Sequence, residues 1–230
     1  MRTLAKTPLS LAGAIALLLA PAVSRAELVT NGSFELPNAT TPFGPGNSGL
    51  FTVAPPGIIP GWTVTSAPGT VDIVKPASNW LPAYDGIQVL DLNGTPGLGS
   101  IQQTVTTNPG IYAFSFAYTR NPLSAGADAQ YDIVDSTLTS LIGGPFVIDS
   151  SGSPLQWITI NHTFSTTDTQ ATLSFTSTSP PPGVINAGIV LDAVSVQAVP
   201  EASTWAFLGG LGSVAACSCY LKKRRVEATA

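Results

Sequence analysis

The 230-residue chain has 13 acidic and 9 basic side chains, but the bases gather near its two ends. Between residues 27 and 199 only Lys75 and Arg120 stand against eleven acids, a net charge of −9, so nothing there could neutralise phosphates and a nucleic-acid partner is excluded. Both cysteines, Cys217 and Cys219, fall in the last apolar stretch, which leaves residues 27–199 without disulfides or a thiol nucleophile.

In chain order, Arg2 and Lys6 precede an apolar run over 9–20, and small residues at Ser24 and Ala26 follow it. This is the three-part layout of a secretory signal cut after residue 26, with an apolar run too short to span a bilayer. It predicts passage through the Sec translocon. Residues 27–198 suit one domain with a sizeable core and are tight for two. The stretch 37–61, with TPFGPGNSG and APPG, reads as a long irregular surface loop.

Period-two alternation then recurs between turn signals. It predicts strands over 70–75, 87–92, 100–107, 111–119, 129–136, 156–164, 171–178 and 189–196. The clearest is 111–119, where Tyr112, Phe114, Phe116 and Tyr118 share one face and Ala113 and Ser115 the other. No amphipathic helix is predicted between 27 and 199. Many short strands punctuated by NPG, GG and PPPG point to an all-β, antiparallel two-sheet sandwich, with a jelly roll favoured.

Catalytic arrangements are mostly missing. His162 is the single histidine and alternates with Ile158, Ile160 and Phe164, which predicts a core or sheet-edge side chain satisfied by one hydrogen bond. A histidine-based metal site needs at least two such ligands, and GPGNSGL lacks the spacing of a nucleophile elbow. Paired carboxylates leave glycoside hydrolysis as an alternative, although Asp128, Asp132 and Asp135 read as a solvated face. Calcium clamping two sheets is a better use of the acids. Trp62 opens the alternation WTV and reads as core. Trp80 and Tyr84, beside Asp85 in SNWLPAYDG, are candidates for stacking on sugar rings while a carboxylate reads hydroxyls. The sequons at Asn31, Asn38, Asn93 and Asn161 carry little weight in a chain so rich in Ser and Thr.

The ordered set LVTNGSFELP, IPGWTV, DIV, YDGIQVLDLNG, GSIQQTVTTNPGIYAFSF and LDAVSV, spanning about residues 28–197, resembles the choice-of-anchor C family. These are bacterial relatives of the plant cell-wall domain of unknown function family 642. The chain departs from the pattern at Ala193, where the family usually has Asn. The resemblance implies a galactose-binding-like jelly roll, the architecture of many carbohydrate-binding modules, and a plausible role in holding polysaccharide. It also implies that Glu35 and Asp192 hold a structural calcium ion.

From Trp205 to Leu221 the chain has no charge, and Lys222, Lys223, Arg224 and Arg225 follow. Such a stretch makes a transmembrane helix of about 26 Å with its basic end inside. The layout over 199–225, with motif 199–203 (Val199, Pro200, Glu201, then Ala202 where Pro is usual), span 205–221 and basic end 222–225, resembles the PEP-CTERM sorting signal. The resemblance implies processing by exosortase. The expectation is therefore an exported, non-enzymatic sandwich, briefly anchored in the inner membrane, that reaches the cell surface or extracellular matrix and binds polysaccharide there. A glycan-acting hydrolase and a structural matrix protein without a specific ligand are the alternatives.

Overall fold

A computed structural model of the chain describes residues 26–40, 47–65, 69–77, 80–95, 97–124, 126–151, 154–179 and 187–200. All but the last residue of the expected leader 1–26, the expected span 205–221 and the basic end lie outside the described residues, among which no helix is long and apolar enough to cross a membrane.

The strands are β1 (Asn47–Val53), β2 (Gly57–Ile59), β3 (Trp62–Val64), β4 (Val71–Pro76), β5 (Val89–Asp91), β6 (Asn93–Gly94), β7 (Gly97–Leu98), β8 (Ser100–Thr106), β9 (Gly110–Arg120), β10 (Asp128–Val134), β11 (Phe146–Asp149), β12 (Ile158–Thr166), β13 (Gln170–Ser179) and β14 (Ile189–Val199). They form one six-stranded sheet in the order β1-β4-β5-β14-β9-β12 and a second in the order β11-β10-β13-β8-β3-β2, with β6 and β7 as a small ribbon. All pairings are antiparallel. The all-β two-sheet sandwich expected from alternation is the fold, and each of the eight predicted strands is present.

The stretch 37–61 corrects the expectation of irregular loop. It contains β1 and β2, which are the outermost strands of the first and second sheets. Pro55 and Pro56 lie between them, where the chain leaves one sheet for the other. An edge strand needs only one ladder, so proline and glycine around it remove no bond that a partner requires. β14 runs through Val199, which pairs with Ile111.

The inner faces meet in one apolar core. Phe114, Phe116 and Phe175 are buried to within 1 %, with Phe116 edge-on to both Tyr131 and Phe175 at 4.9 and 5.1 Å. Such aromatic pairs add to the stabilisation from burial alone. Trp62 is core as expected, 1 % exposed, and packs 5.6 Å from Phe34 of the opening motif. Its indole N–H donates to the Asn31 carbonyl. The Asn31 side chain accepts the Leu36 amide and donates to the carbonyls of Leu36 and Pro60. The NGSFELP motif is thus a plug, closed by asparagine and tryptophan, over one end of the sandwich.

The opening segment also completes the first sheet. At Val190 and Leu191, β14 borders β5; further along, Leu28 donates to Val196 and Val194 donates to Gly32. A bulge between Asp192 and Ser195 marks this change of neighbour, and it holds Ala193 at φ 51°. A left-handed conformation costs an alanine roughly 1–2 kcal/mol, and asparagine tolerates it better. The departure from the family pattern at Ala193 is therefore a backbone matter. Ala193→Asn should recover part of that cost and raise the midpoint of urea unfolding; an unchanged or lowered midpoint would show that the bulge does not strain residue 193.

Candidate functional site

The outer face of the first sheet is divided in two. On one half, alternation turns Val74, Val89 and Val190 outward, where Leu50, Trp80, Ala83 and Trp157 cover them in a second small apolar cluster. The Trp157 indole N–H donates to the Pro82 carbonyl at 2.9 Å. The segment 80–88 is thereby laid flat over β4, β5 and β14.

Two carboxylates pin the far end of this segment. Asp192 Oδ2 accepts the amides of Tyr84 and Asp85 at 2.8 and 3.0 Å, and its Oδ1 accepts the Ala193 amide at 2.7 Å. Glu35 Oε1 accepts the amides of Ile87 and Gln88 at 2.8 and 2.9 Å. Between the two grips Gly86 sits at φ +79°, and a Cβ there would meet Glu35 Oε1 at 2.3 Å. Only glycine fits such a position.

The pair carried over as calcium ligands therefore does converge on one turn. Calcium takes six to eight oxygen ligands, and among the described residues no group of three or more His, Cys, Asp or Glu side chains is placed to hold a metal ion. Five backbone N–H groups are aimed at Glu35 and Asp192, so amide donors stand where a cation would have to stand. Glu35 and Asp192 alone do not fit a calcium ion.

The other half of the outer face is open. Ala113 and Ser115 of β9, Asn161 and Thr163 of β12, and Ser195 and Gln197 of β14 line a groove of about 410 Å³. Register brings them together: Asn161 and Ser195 both lie opposite Ser115, and Thr163 and Gln197 both lie opposite Ala113. Glu27 borders the groove, where its carboxylate accepts from the Ser195 hydroxyl, the Gln197 side-chain amide and the Val196 amide. On the same face Tyr84, 51 % exposed and edge-on to Trp157 at 5.8 Å, is held by Asp192, which lies opposite Ala117, two residues along β9 from Ser115. Trp157 directly precedes β12, and its position alternates with those of Asn161 and Thr163 on the same face.

Of the residues expected to touch sugar, Tyr84 and Asp85 are exposed and held in place by Asp192. Trp80 is partly buried in the cluster over Val74, Val89 and Val190, where it anchors the segment. Trp157 had no distinguishing signal in the sequence beyond its parity on the predicted strand 156–164, and the groove floor had none, because small polar residues are what any solvated strand face shows.

His162 is partly buried on the edge strand β12 and faces inward: its Nε2 shares a 2.8 Å hydrogen bond with the Tyr131 hydroxyl across the two sheets, and its ring packs 4.9 Å from Phe146. A second cleft of about 530 Å³ holds Asp135 and Asp168. Hydrogen bonds from Thr137 and Ser136, respectively, keep both carboxyls below the usual range, whereas a glycosidase acid needs its pKa raised.

A protein-family profile described as "Protein of unknown function (DUF642)" matches residues 27–197. Halomucin of Haloquadratum walsbyi is 34 % identical over 176 residues, which is 74 % of this chain and 2 % of that protein; the chain thus spans a very small part of its relative's length. Among solved structures, the chain is similar to TmCBM61 in complex with β-1,4-galactotriose (16 % identity, 76 % of this chain and 99 % of that one, TM-score 0.47). It is also similar to the CBM22-1 xylan-binding domain from Paenibacillus barcinonensis Xyn10C (18 % identity, 62 % and 88 %, TM-score 0.43).

The buried acids make stability depend on pH. Burial pushes Asp192 up to about 7 against its amide bonds, with the Asp85 charge adding. Burial likewise pushes Asp91 up to about 7, although Asn121 and the amides of Asn93 and Gly188 bond its carboxylate. Asp72, its cross-strand partner, adds repulsion. Between the ordinary value of 3.8 and about 7 the folded state binds more protons than the unfolded one. The stability from these groups is complete below about pH 4 and lost as pH rises through 7. The lowered Asp135, Asp149 and Asp168 lose their contribution only at more acid pH. Calorimetric Tm should therefore fall between pH 5 and pH 8, and Asp91→Asn should flatten the fall; a Tm rising over that window would contradict this assignment.

Proposed function

Because this chain belongs to the DUF642 family, whose description names no function, we propose its role from its own surface: a non-enzymatic, exported sandwich of galactose-binding-like jelly-roll type that binds polysaccharide in the groove of the first sheet. The observation that carries this is the exposed ring of Tyr84, immobilised by Asp192 on the same sheet that carries a floor of neutral hydroxyl and amide side chains. A sugar ring has an apolar C–H face and a rim of hydroxyls that both donate and accept, and an aromatic face beside Ser, Thr, Asn and Gln side chains matches both. Pinning by Asp192 and Glu35 keeps the ordering cost of that surface low.

Export follows from the leader, and sorting from the tail. The chain crosses the inner membrane through the Sec translocon, is held briefly by the uncharged segment 205–221, and is handed by exosortase to the cell surface or matrix. Supporting this, β14 closes at Val199, so a cut within or after the motif Val199-Pro200-Glu201 removes the tail and spares the sandwich.

Two measurements test these points. In affinity electrophoresis through polysaccharide gels, Tyr84→Ala should lose retention at an unchanged Tm, whereas Trp80→Ala should lower stability by roughly 2–3 kcal/mol through loss of the cluster it fills. Retention by Tyr84→Ala equal to that of the parent protein would remove Tyr84 from the site. Protein recovered from the extracellular matrix should yield no peptide beyond residue 203 by mass spectrometry; a Lys222–Arg225 peptide in most molecules would mean a permanent anchor.

A further inference from the structure

We infer that the groove selects uncharged polysaccharide chains and turns away polyanionic ones, an inference that rests on the polysaccharide-binding proposal above. Recognition of a uronate, sulfate or phosphate group needs a guanidinium, an ammonium or a cluster of free amides. The groove floor has none: Ser115, Asn161, Thr163, Ser195 and Gln197 are neutral and Ala113 is apolar, while Phe114 and His162, which also line it, alternate to the opposite face and turn their rings inward, His162 onto the Tyr131 hydroxyl.

The only two cations between residues 27 and 199 are placed elsewhere. Lys75 lies on β4 opposite Gly49, separated from the groove strands by β5. The Arg120 guanidinium donates to the Ser124 carbonyl at 2.8 Å and lies beside the apolar pocket of Trp80, Pro122 and Trp157.

The charges that do flank the groove are negative. Glu27 draws in the donors of Ser195 and Gln197, so these two side chains present acceptor capacity to a ligand more readily than donors. Asp85 is exposed beside Tyr84, where Asp192 of β14 holds it. With the net −9 of residues 27–199, an anionic chain approaching this face meets repulsion and finds no counter-charge. A neutral chain meets no field, and its hydroxyls can donate to the acceptors left available.

The test is affinity electrophoresis of the purified protein, with β-glucan, galactan and xylan as neutral probes and alginate and polygalacturonate as anionic ones, at low salt and at roughly 0.5 M NaCl, where the Debye length shrinks to a few ångströms. Retention by at least one neutral probe is expected, changing by less than about twofold with salt, with anionic probes at least about tenfold weaker at low salt. Thr163→Lys, a change at an exposed position of the floor, should gain retention by the anionic probes at low salt and lose that gain at high salt. Stronger retention of the parent protein by alginate or polygalacturonate than by every neutral probe would overturn the selectivity and leave polysaccharide binding standing. Retention by no probe at all would overturn polysaccharide binding, and the selectivity with it.

Discussion

Strand β9 is the constraint on which the rest of this molecule depends. It is paired along nearly its whole length on both sides, with β14 and with β12, so its backbone is saturated and its two faces are fixed in opposite roles. The inward face carries Tyr112, Phe114 and Phe116, which fill the space between the sheets. The outward face carries Ala113 and Ser115, whose small size leaves the groove open. A one-residue slip would exchange the faces, exposing the aromatic ladder and filling the groove. Core and candidate binding surface are two consequences of one register.

The second layer of organisation is electrostatic. The domain has eleven acids and two bases, so its buried carboxylates cannot rely on ion pairs and are satisfied by amides. Asp192 and Glu35 spend their oxygens on the turn that presents Tyr84, and Asp91 spends its own on Asn121 and the amides of Asn93 and Gly188. Buried polar groups are tolerated when they are hydrogen-bonded, and here the bonds tie distant segments together. Residue 192 holds residues 84 and 85; residue 35 holds 87 and 88. A chain without disulfides between 27 and 199 thus acquires non-local cross-links through its acids.

The expectations that succeeded and those that failed differ in physical kind. The longer strands, edge strand β12 included, were legible because one buried face imposes alternation. Trp62 as core and His162 as an inward-facing residue at the sheet edge were legible for the same reason. The outer strands β1 and β2 were missed because Pro and Gly around them are the signature of turns, and an edge strand with one ladder can carry that signature. Trp80 read as a surface aromatic because its neighbours are Asn, Pro and Tyr. It is partly buried against Val74, Val89 and Val190, a cluster assembled from three strands that no local pattern announces. Glu35 and Asp192 were expected to act together through resemblance to related modules, and they do meet on one turn; amide donors, where cation ligands were expected, surround them.

By itself the sequence determined the sandwich, eight of its strands, the aromatic core and the acidic character of residues 27–199, because alternation, turn residues and charge are written locally and survive without knowledge of neighbours. The tertiary structure alone decided which half of the outer face is covered and which is open, that Trp157 stands beside Tyr84, and that Glu27, eight residues before Glu35, borders the groove while Glu35 pins the turn. These depend on which strands lie side by side and where β14 changes its neighbour, and strand order is set by long-range pairing that no single stretch of the chain encodes.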